Sequence, residues 1–170
     1  MKSVRIRTLQ RTDAQALLKF EVDNREWFER HIDARGAAFY SVQGVTDHIR
    51  EYLAEHAAGT WHPFVIEEDG GRIVGRANLK AIDTSARTAE VGYRIAQSAC
   101  GRGLATQAVK HLIREAQRRW NLTHLMANVY VENIASTKVL ERCGFLVEPV
   151  SRHEGTDREY RFGLSMQASV

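Results

Sequence analysis

The stretch from Ala89 to Ala116, AEVGYRIAQSACGRGLATQAVKHLIREA, decides the reading of this chain. Residues alternate in character as far as Ile95, which reads as a strand. A turn of small and polar residues carrying Gly101 and Gly103 follows, and then a long amphipathic helix. Strand, glycine turn and helix in that order build an anion site. Backbone N–H groups of the turn and of the first helical turn converge on one point, where the helix terminus adds partial positive charge. A phosphorylated ligand is the functional reading. A plain tight turn joining a strand to a helix is the other.

The rest of the chain restricts the setting. At 170 residues, 44% hydrophobic and 26% charged, it is expected to form one ordinary domain spanning residues 1–170. No apolar run approaches the roughly 20 residues of a membrane span. The N-terminal MKSVRIRTLQRTD has no signal-like apolar core, so a cytoplasmic location is expected. A formal charge of +3, spread along the chain, gives no sign of nucleic-acid binding. Cys100 and Cys143 lie beside glycines in different elements without the spacing of a zinc site, so no metal is expected. Cys143 falls at an apolar helical position and reads as core.

Taken in order, Val4–Thr8 reads as a strand, with Thr12 or Asp13 capping a helix to about Phe20. A short helix is expected near Arg25–His31, and a second clear helix capped by Thr46 or Asp47 should end before Gly59. Three antiparallel strands follow, Trp61–Glu67, Arg72–Leu79 and Ala89–Ile95, the first two joined at Asp69-Gly70. After the glycine turn, Leu104, Ala105, Ala108, Val109, Leu112 and Ala116 share one helical face. Asn121 should close that helix before the strand Leu125–Val129. Asn133 sits where an N-cap belongs, and Gly144 where the helix it opens should end. Strands are expected at Phe145–Val150 and Arg158–Met166. The class is mixed α/β, with antiparallel hairpins at its start and end.

Two nucleotide-binding readings fail on the residues. A dinucleotide fingerprint would need a third glycine where Thr106 stands and an acid ending the next strand, where Leu125–Val129 offers none. A Walker loop would need Gly-Lys-Ser/Thr, which is absent.

QSACGRGLATQAV at 97–109, with RTAEVGYRI before it and NVYVENIASTKVLERCGF at 128–145, resembles the Gcn5-related N-acetyltransferase (GNAT) superfamily. The nearest branch is the RimJ/RimL-like group, which acetylates ribosomal-protein N-termini. The resemblance runs from about Val65 to Met166. It implies a central twisted, mixed but mostly antiparallel sheet of six to seven strands flanked by helices. It also implies acetyl-CoA as co-substrate and a primary amine as acceptor, a peptide or a small molecule such as a polyamine or antibiotic. A non-catalytic coenzyme-binding module is the alternative, and monomer and homodimer stay open.

By that resemblance, amides from Gly101, Arg102, Gly103, Leu104 and Ala105 hold the pyrophosphate. Ser98 departs from the family's Arg/Gln at the first motif position, and Gln97 stands in for it. Val91, Tyr93 and Ile95 border the pantetheine cleft, which opens where their strand splays from Leu125–Val129. Glu90 matches a family base, with Glu159 as a rival. Many relatives carry a tyrosine as acid where this chain has Leu140, and the ribosomal-protein branch points to Ser136 instead. Asn133 has two compatible roles, N-cap and donor to the pantetheine arm. Tyr130 and His124 flank the same strand. Acceptor contacts are expected from Trp27, Phe28, His31, Phe39 and Tyr40 and from the loop between the last two strands. An open acidic groove beside Glu90 would favour basic peptides.

Overall fold

The computed structural model describes residues 3–30, 33–148 and 159–167. Its strands are β1 (Val4–Thr8), β2 (His62–Glu68), β3 (Ile73–Asp83), β4 (Thr88–Ile95), β5 (His124–Tyr130), β6 (Leu146–Val147) and β7 (Glu159–Ser165). The helices are α1 (Ala14–Asp23), α2 (Arg25–Glu29), α3 (Val42–Ala57), α4 (Leu104–Arg118) and α5 (Ile134–Arg142). The strands form one seven-stranded sheet in the order β1-β2-β3-β4-β5-β7-β6. Every neighbouring pair is antiparallel except β4 and β5. A parallel pair requires a crossover, and α4 supplies it.

Register sorts the side chains onto two faces, because partners in adjacent strands point the same way. Phe64, Ala77 and Tyr93 share one face with Leu79 and Val91. That face packs on α4, which buries Leu104, Ala108, Val109, Leu112 and Ala116 as its spacing predicts. Val65, Arg76 and Arg94 share the opposite face, with Asn78 and Gly92 and with Lys80 and Glu90. There α1 and α3 bury Leu17, Phe20, Val45 and Ile49. A fully buried leucine contributes about 2 kcal/mol, so the two helix layers anchor the sheet from both sides.

Four local expectations need correction. Helix α3 begins at Val42, not after Thr46 or Asp47, because the Ser41 hydroxyl accepts the Gly44 N–H at 3.0 Å. The earlier cap leaves Thr46 and Asp47 inside the helix. Helix α1 runs on past Phe20 to Asp23. Strand β3 continues through Ile82, where a loop is expected. Ile82 is buried and its N–H donates to the Thr60 carbonyl at 2.9 Å. Strand β6 is confined to Leu146–Val147, and Pro149, Val150 and residues 151–158 lie outside the described residues, as does His31. Among the described residues no helix is long and apolar enough to cross a membrane.

Candidate active site

The parallel pairing of β4 with β5 lasts three residues, Thr88–Glu90 against His124–Met126. Beyond Glu90 the strands part, and α5 crosses the opening. Three cavities run in line along it. The first, about 200 Å³, contains Glu90, Gly92, Asn128 and Leu140. Tyr93, Arg94 and Ser136 line both it and the second, of about 350 Å³, which reaches Trp27, Phe28 and Asn133. Ile95, Cys100, Ala105, Ala135 and Val139 carry the second into the third, about 310 Å³, at Gly101–Thr106. The result is one continuous cleft from the glycine turn to Glu90.

At its outer end the chain turns at Gly101 (φ 79°) and Gly103 (φ 74°), and Gly103 is the N-cap of α4. Neither position has a heavy atom within 4 Å of where a Cβ would stand. A positive φ with open space above it is a backbone cradle that a ligand can approach closely. The first helical N–H groups have no intrahelical partner. Lys138 and Arg142, one turn apart on α5, border this end and supply cations that the sequence reading missed. Their signal was an i,i+4 basic pair facing the glycine turn. The Arg102 guanidinium instead binds the buried Glu68 carboxylate at 2.7 Å and ties the turn to β2. The Gln97 N–H donates to Asn24 Oδ1 at 2.9 Å, which ties the turn to α1.

At the inner end, Val91 and Ile95 are buried and Tyr93 lies between them. The Tyr93 hydroxyl is buried without a hydrogen-bond partner of good geometry. Burial raises its pKa, and the adjacent Ser136 hydroxyl moderates the shift. Asn133 Oδ1 accepts the Ser136 N–H at 3.2 Å. This makes Asn133 the N-cap of α5 and sets Ser136 in the first turn, at the junction of the first two cavities. Leu140 is fully buried and closes the first cavity with an apolar wall. The Glu90 carboxylate accepts a hydrogen bond from Asn128 Nδ2 at 3.0 Å across the splay. Glu159, on β7 opposite Tyr130, is outside the residues lining these cavities.

The residues expected to meet an acceptor divide. Trp27 and Phe28 border the middle of the cleft, where a pantetheine arm would run. Phe39 and Tyr40 pack edge to face on each other, with the Arg25 guanidinium 4.1 Å from the Tyr40 ring centre. Neither lines the cleft. His124 pairs with Glu148 at 3.0 Å, and the Tyr130 hydroxyl donates to Asp33 at 3.4 Å.

The Glu90 end of the cleft also lies against a charged network that local sequence pattern does not show. Glu21 of α1, 1% exposed, accepts from Arg76 at 2.8 Å and from Arg94 at 3.2 Å, with Arg35 at 3.7 Å. Burial alone would raise the Glu21 pKa, but Arg76, Arg94 and Arg35 outweigh it and hold it below the usual carboxylate range. Arg76 also donates to His48 Nε2 at 2.8 Å. Burial and Arg76 push the His48 pKa far down, so its ring is neutral. The cavity beside Glu90 is therefore lined by Arg35, Arg76, Lys80 and Arg94, and is cationic rather than acidic. The signal was present in the alternation Arg76, Asn78, Lys80 on β3 against Glu90, Gly92, Arg94 on β4.

Comparison with known proteins agrees with this geometry. The acetyltransferase (GNAT) domain family matches residues 3–146. Spermidine N(1)-acetyltransferase of Escherichia coli is 30% identical over 171 residues, covering 96% of this chain and 84% of that protein. The [ribosomal protein uS5]-alanine N-acetyltransferase of the same organism is 27% identical over 142 residues, covering 82% and 73%. The structure of Mycobacterium smegmatis RimJ in complex with CoA-disulfide superposes with a TM-score of 0.85 at 26% identity, covering 95% of this chain and 81% of that one. This chain belongs to the GNAT acetyltransferase family and is an acetyl-CoA-dependent N-acetyltransferase.

Proposed function

We propose that the enzyme transfers the acetyl group of acetyl-CoA directly to the α-amine of a polypeptide N-terminus, with Glu90 as base and Ser136 as proton donor. The observation that carries this reading is the single cleft with the glycine cradle at one end, Ser136 and Tyr93 midway, and Glu90 at the other. The residues fit the co-substrate. Open amides and the Lys138/Arg142 pair suit a pyrophosphate, and the apolar middle suits a pantetheine arm. The uS5-alanine N-acetyltransferase, by its name, acts on such a terminus.

An α-ammonium has a pKa of roughly 8, so a carboxylate acting directly or through one water suffices to free its lone pair. Asn128 orients the Glu90 carboxylate for that task. N–H groups of β4 beyond Glu90, released from pairing with β5, polarise the thioester carbonyl as the amine attacks. Collapse then breaks the carbon–sulfur bond. The Ser136 hydroxyl donates to the departing sulfur, whose thiol pKa near roughly 8.5 asks little of the donor. Solvent returns that proton to Ser136, while the neighbouring Tyr93 phenol stays protonated, its pKa raised by burial. The amine proton leaves through Glu90 to solvent. Leu140, where many relatives carry a tyrosine, takes no part in proton transfer. On this reading the enzyme works in the cytoplasm, where acetyl-CoA is made.

A thiol-release assay with acetyl-CoA across N-terminal peptides, polyamines and aminoglycosides tests the assignment. Peptides should be turned over with acetylation at the α-amine by mass spectrometry. Turnover confined to polyamines or aminoglycosides would overturn the polypeptide acceptor.

A further inference from the structure

The proposed chemistry needs only one carboxylate at the acceptor end, yet the first cavity is walled by four cations. Arg35, Arg76, Lys80 and Arg94 line it, against Glu90 in the wall and Glu21 immediately behind. His48 adds no charge to offset them, since its Nε2 accepts from Arg76. Two positive charges are left over in a space of about 200 Å³.

The cations differ in how far they are satisfied. Arg76, 2% exposed, is fully engaged by Glu21 and His48. Arg94 shares Glu21 through one nitrogen, and its pKa is pushed down to about 10 by burial and by Arg35 and Arg76, against the pull of Glu21. Arg35 reaches Glu21 only at 3.7 Å, and its Nε is buried with no hydrogen-bond partner. Lys80 lies across Gly92, beside Glu90 in the register of β3 and β4. Half-buried cations with spare donors are an incomplete ion-pair network, and one carboxylate of a ligand completes it.

We infer that the acceptor is a polypeptide N-terminus with an Asp or Glu side chain within its first three residues, the α-amine meeting Glu90 and the side-chain carboxylate meeting Arg35, Arg94 and Lys80. This rests on the proposed N-terminal acceptor and narrows it to one charge class. The same cations repel a polyamine, whose second ammonium would enter their field.

The test compares kcat/KM for short peptides of one sequence carrying Asp, Asn or Lys at position 2 or position 3, alongside small amines bearing a carboxylate and a polyamine. The expected result is at least a tenfold preference for Asp over Asn at one position, with Lys poorer still. The Asp-over-Asn ratio should fall toward one in Arg35→Met and shrink as salt is raised. Lys80→Met gives the same readout if Arg35→Met does not fold. Equal rates on Asp and Asn peptides would overturn the charge inference and leave the N-terminal reading standing. Turnover of carboxylated small amines without any peptide would sustain the anion preference and remove the polypeptide acceptor. Preference for the polyamine would overturn both.

Discussion

On the α4/α5 face of the sheet, the chain offers a ligand its backbone: two glycines with positive φ, the open N-terminus of α4, and the strand edge freed where β4 leaves β5. On the α1/α3 face it offers side chains instead, a buried carboxylate ringed by three arginines and a neutral histidine. The first arrangement comes from one contiguous stretch. The second joins α1, α3, β3, β4 and the segment at Arg35, up to 73 residues apart in sequence. A backbone site recognises what every acetyl-CoA presents. A side-chain site can be re-sorted from one relative to another, and on the proposed reading it is where acceptor choice belongs.

The largest expected effect breaks the side-chain face. Glu21→Gln leaves Arg76, Arg94 and Arg35 around an uncharged group in a buried site. Removing one partner of a buried ion network costs about 3–5 kcal/mol, read as a lower midpoint in urea unfolding. Coenzyme affinity, measured below the transition, should hold, because none of these groups touches the glycine cradle. A loss under about 1 kcal/mol would mean that the network is not a buried charge cluster.

Next comes the residue between the two faces. Glu90→Gln keeps the Asn128 contact in shape but removes the base, so kcat should fall about 100-fold or more. The KM for acetyl-CoA should stay where it was. An unchanged kcat would transfer the base role to another group.

These two residues also show what a sequence can disclose. Glu90 is legible as a residue of the cavity wall because it sits in the strand that leads into the glycine turn, where local pattern and family resemblance overlap. The cradle at Gly101 and Gly103 and the cap at Asn133 were legible for the same reason, since a turn or cap is fixed by a few neighbours. Glu21 was not legible. A glutamate in the run AQALLKFEVD reads as an exposed helical residue, and only the packing of α1 on β3 turns it toward Arg76. The groove beside Glu90 is cationic, so it lacks the acidic lining that would have favoured basic peptides. Ser41, Thr46 and Asp47 are all competent caps for α3, and the 3-10 turn at Ala37–Phe39 decides in favour of Ser41. Trp27 is expected among the acceptor contacts by family pattern, and the position of α2 sets it at the middle cavity with Asn133 and Ser136.

Each face buries one neutral histidine, which sharpens the comparison through pH. His48 faces Arg76. On the other face His62 accepts from Trp120 Nε1 at 2.9 Å through Nδ1 and donates to the Thr8 hydroxyl at 3.0 Å through Nε2. Burial, helped by His56 and Arg119, lowers the His62 pKa to about 3. With a folded pKa below the unfolded value near roughly 6.5, the unfolded chain takes up the proton first, so stability falls as pH drops. His62 alone should remove about 2 kcal/mol between neutral pH and pH 5. Urea unfolding across that range should show the decline, and His62→Gln should make it shallower, leaving the part that His48 contributes. A wild-type stability independent of pH would refute the buried neutral assignment.

The smallest effect separates the faces most cleanly, because it uses the same substitution on each. Gly103→Ala puts a Cβ into open space, so nothing collides, and its cost comes from φ at 74°. An L-residue in the left-handed region costs roughly 1–2 kcal/mol. The unliganded turn can relax away from that strain, and the coenzyme must then restore it on binding. Acetyl-CoA affinity should drop by about 5- to 30-fold, while preference among acceptors stays the same. At Gly92 the backbone is ordinary, but a Cβ would collide with Lys80 Cε. The long lysine side chain can swing aside, so Gly92→Ala should fold, bind acetyl-CoA normally, and shift only the choice between acidic and neutral peptides. If Gly92→Ala instead weakened the coenzyme and left acceptor choice untouched, the division of labour between the two faces would be wrong.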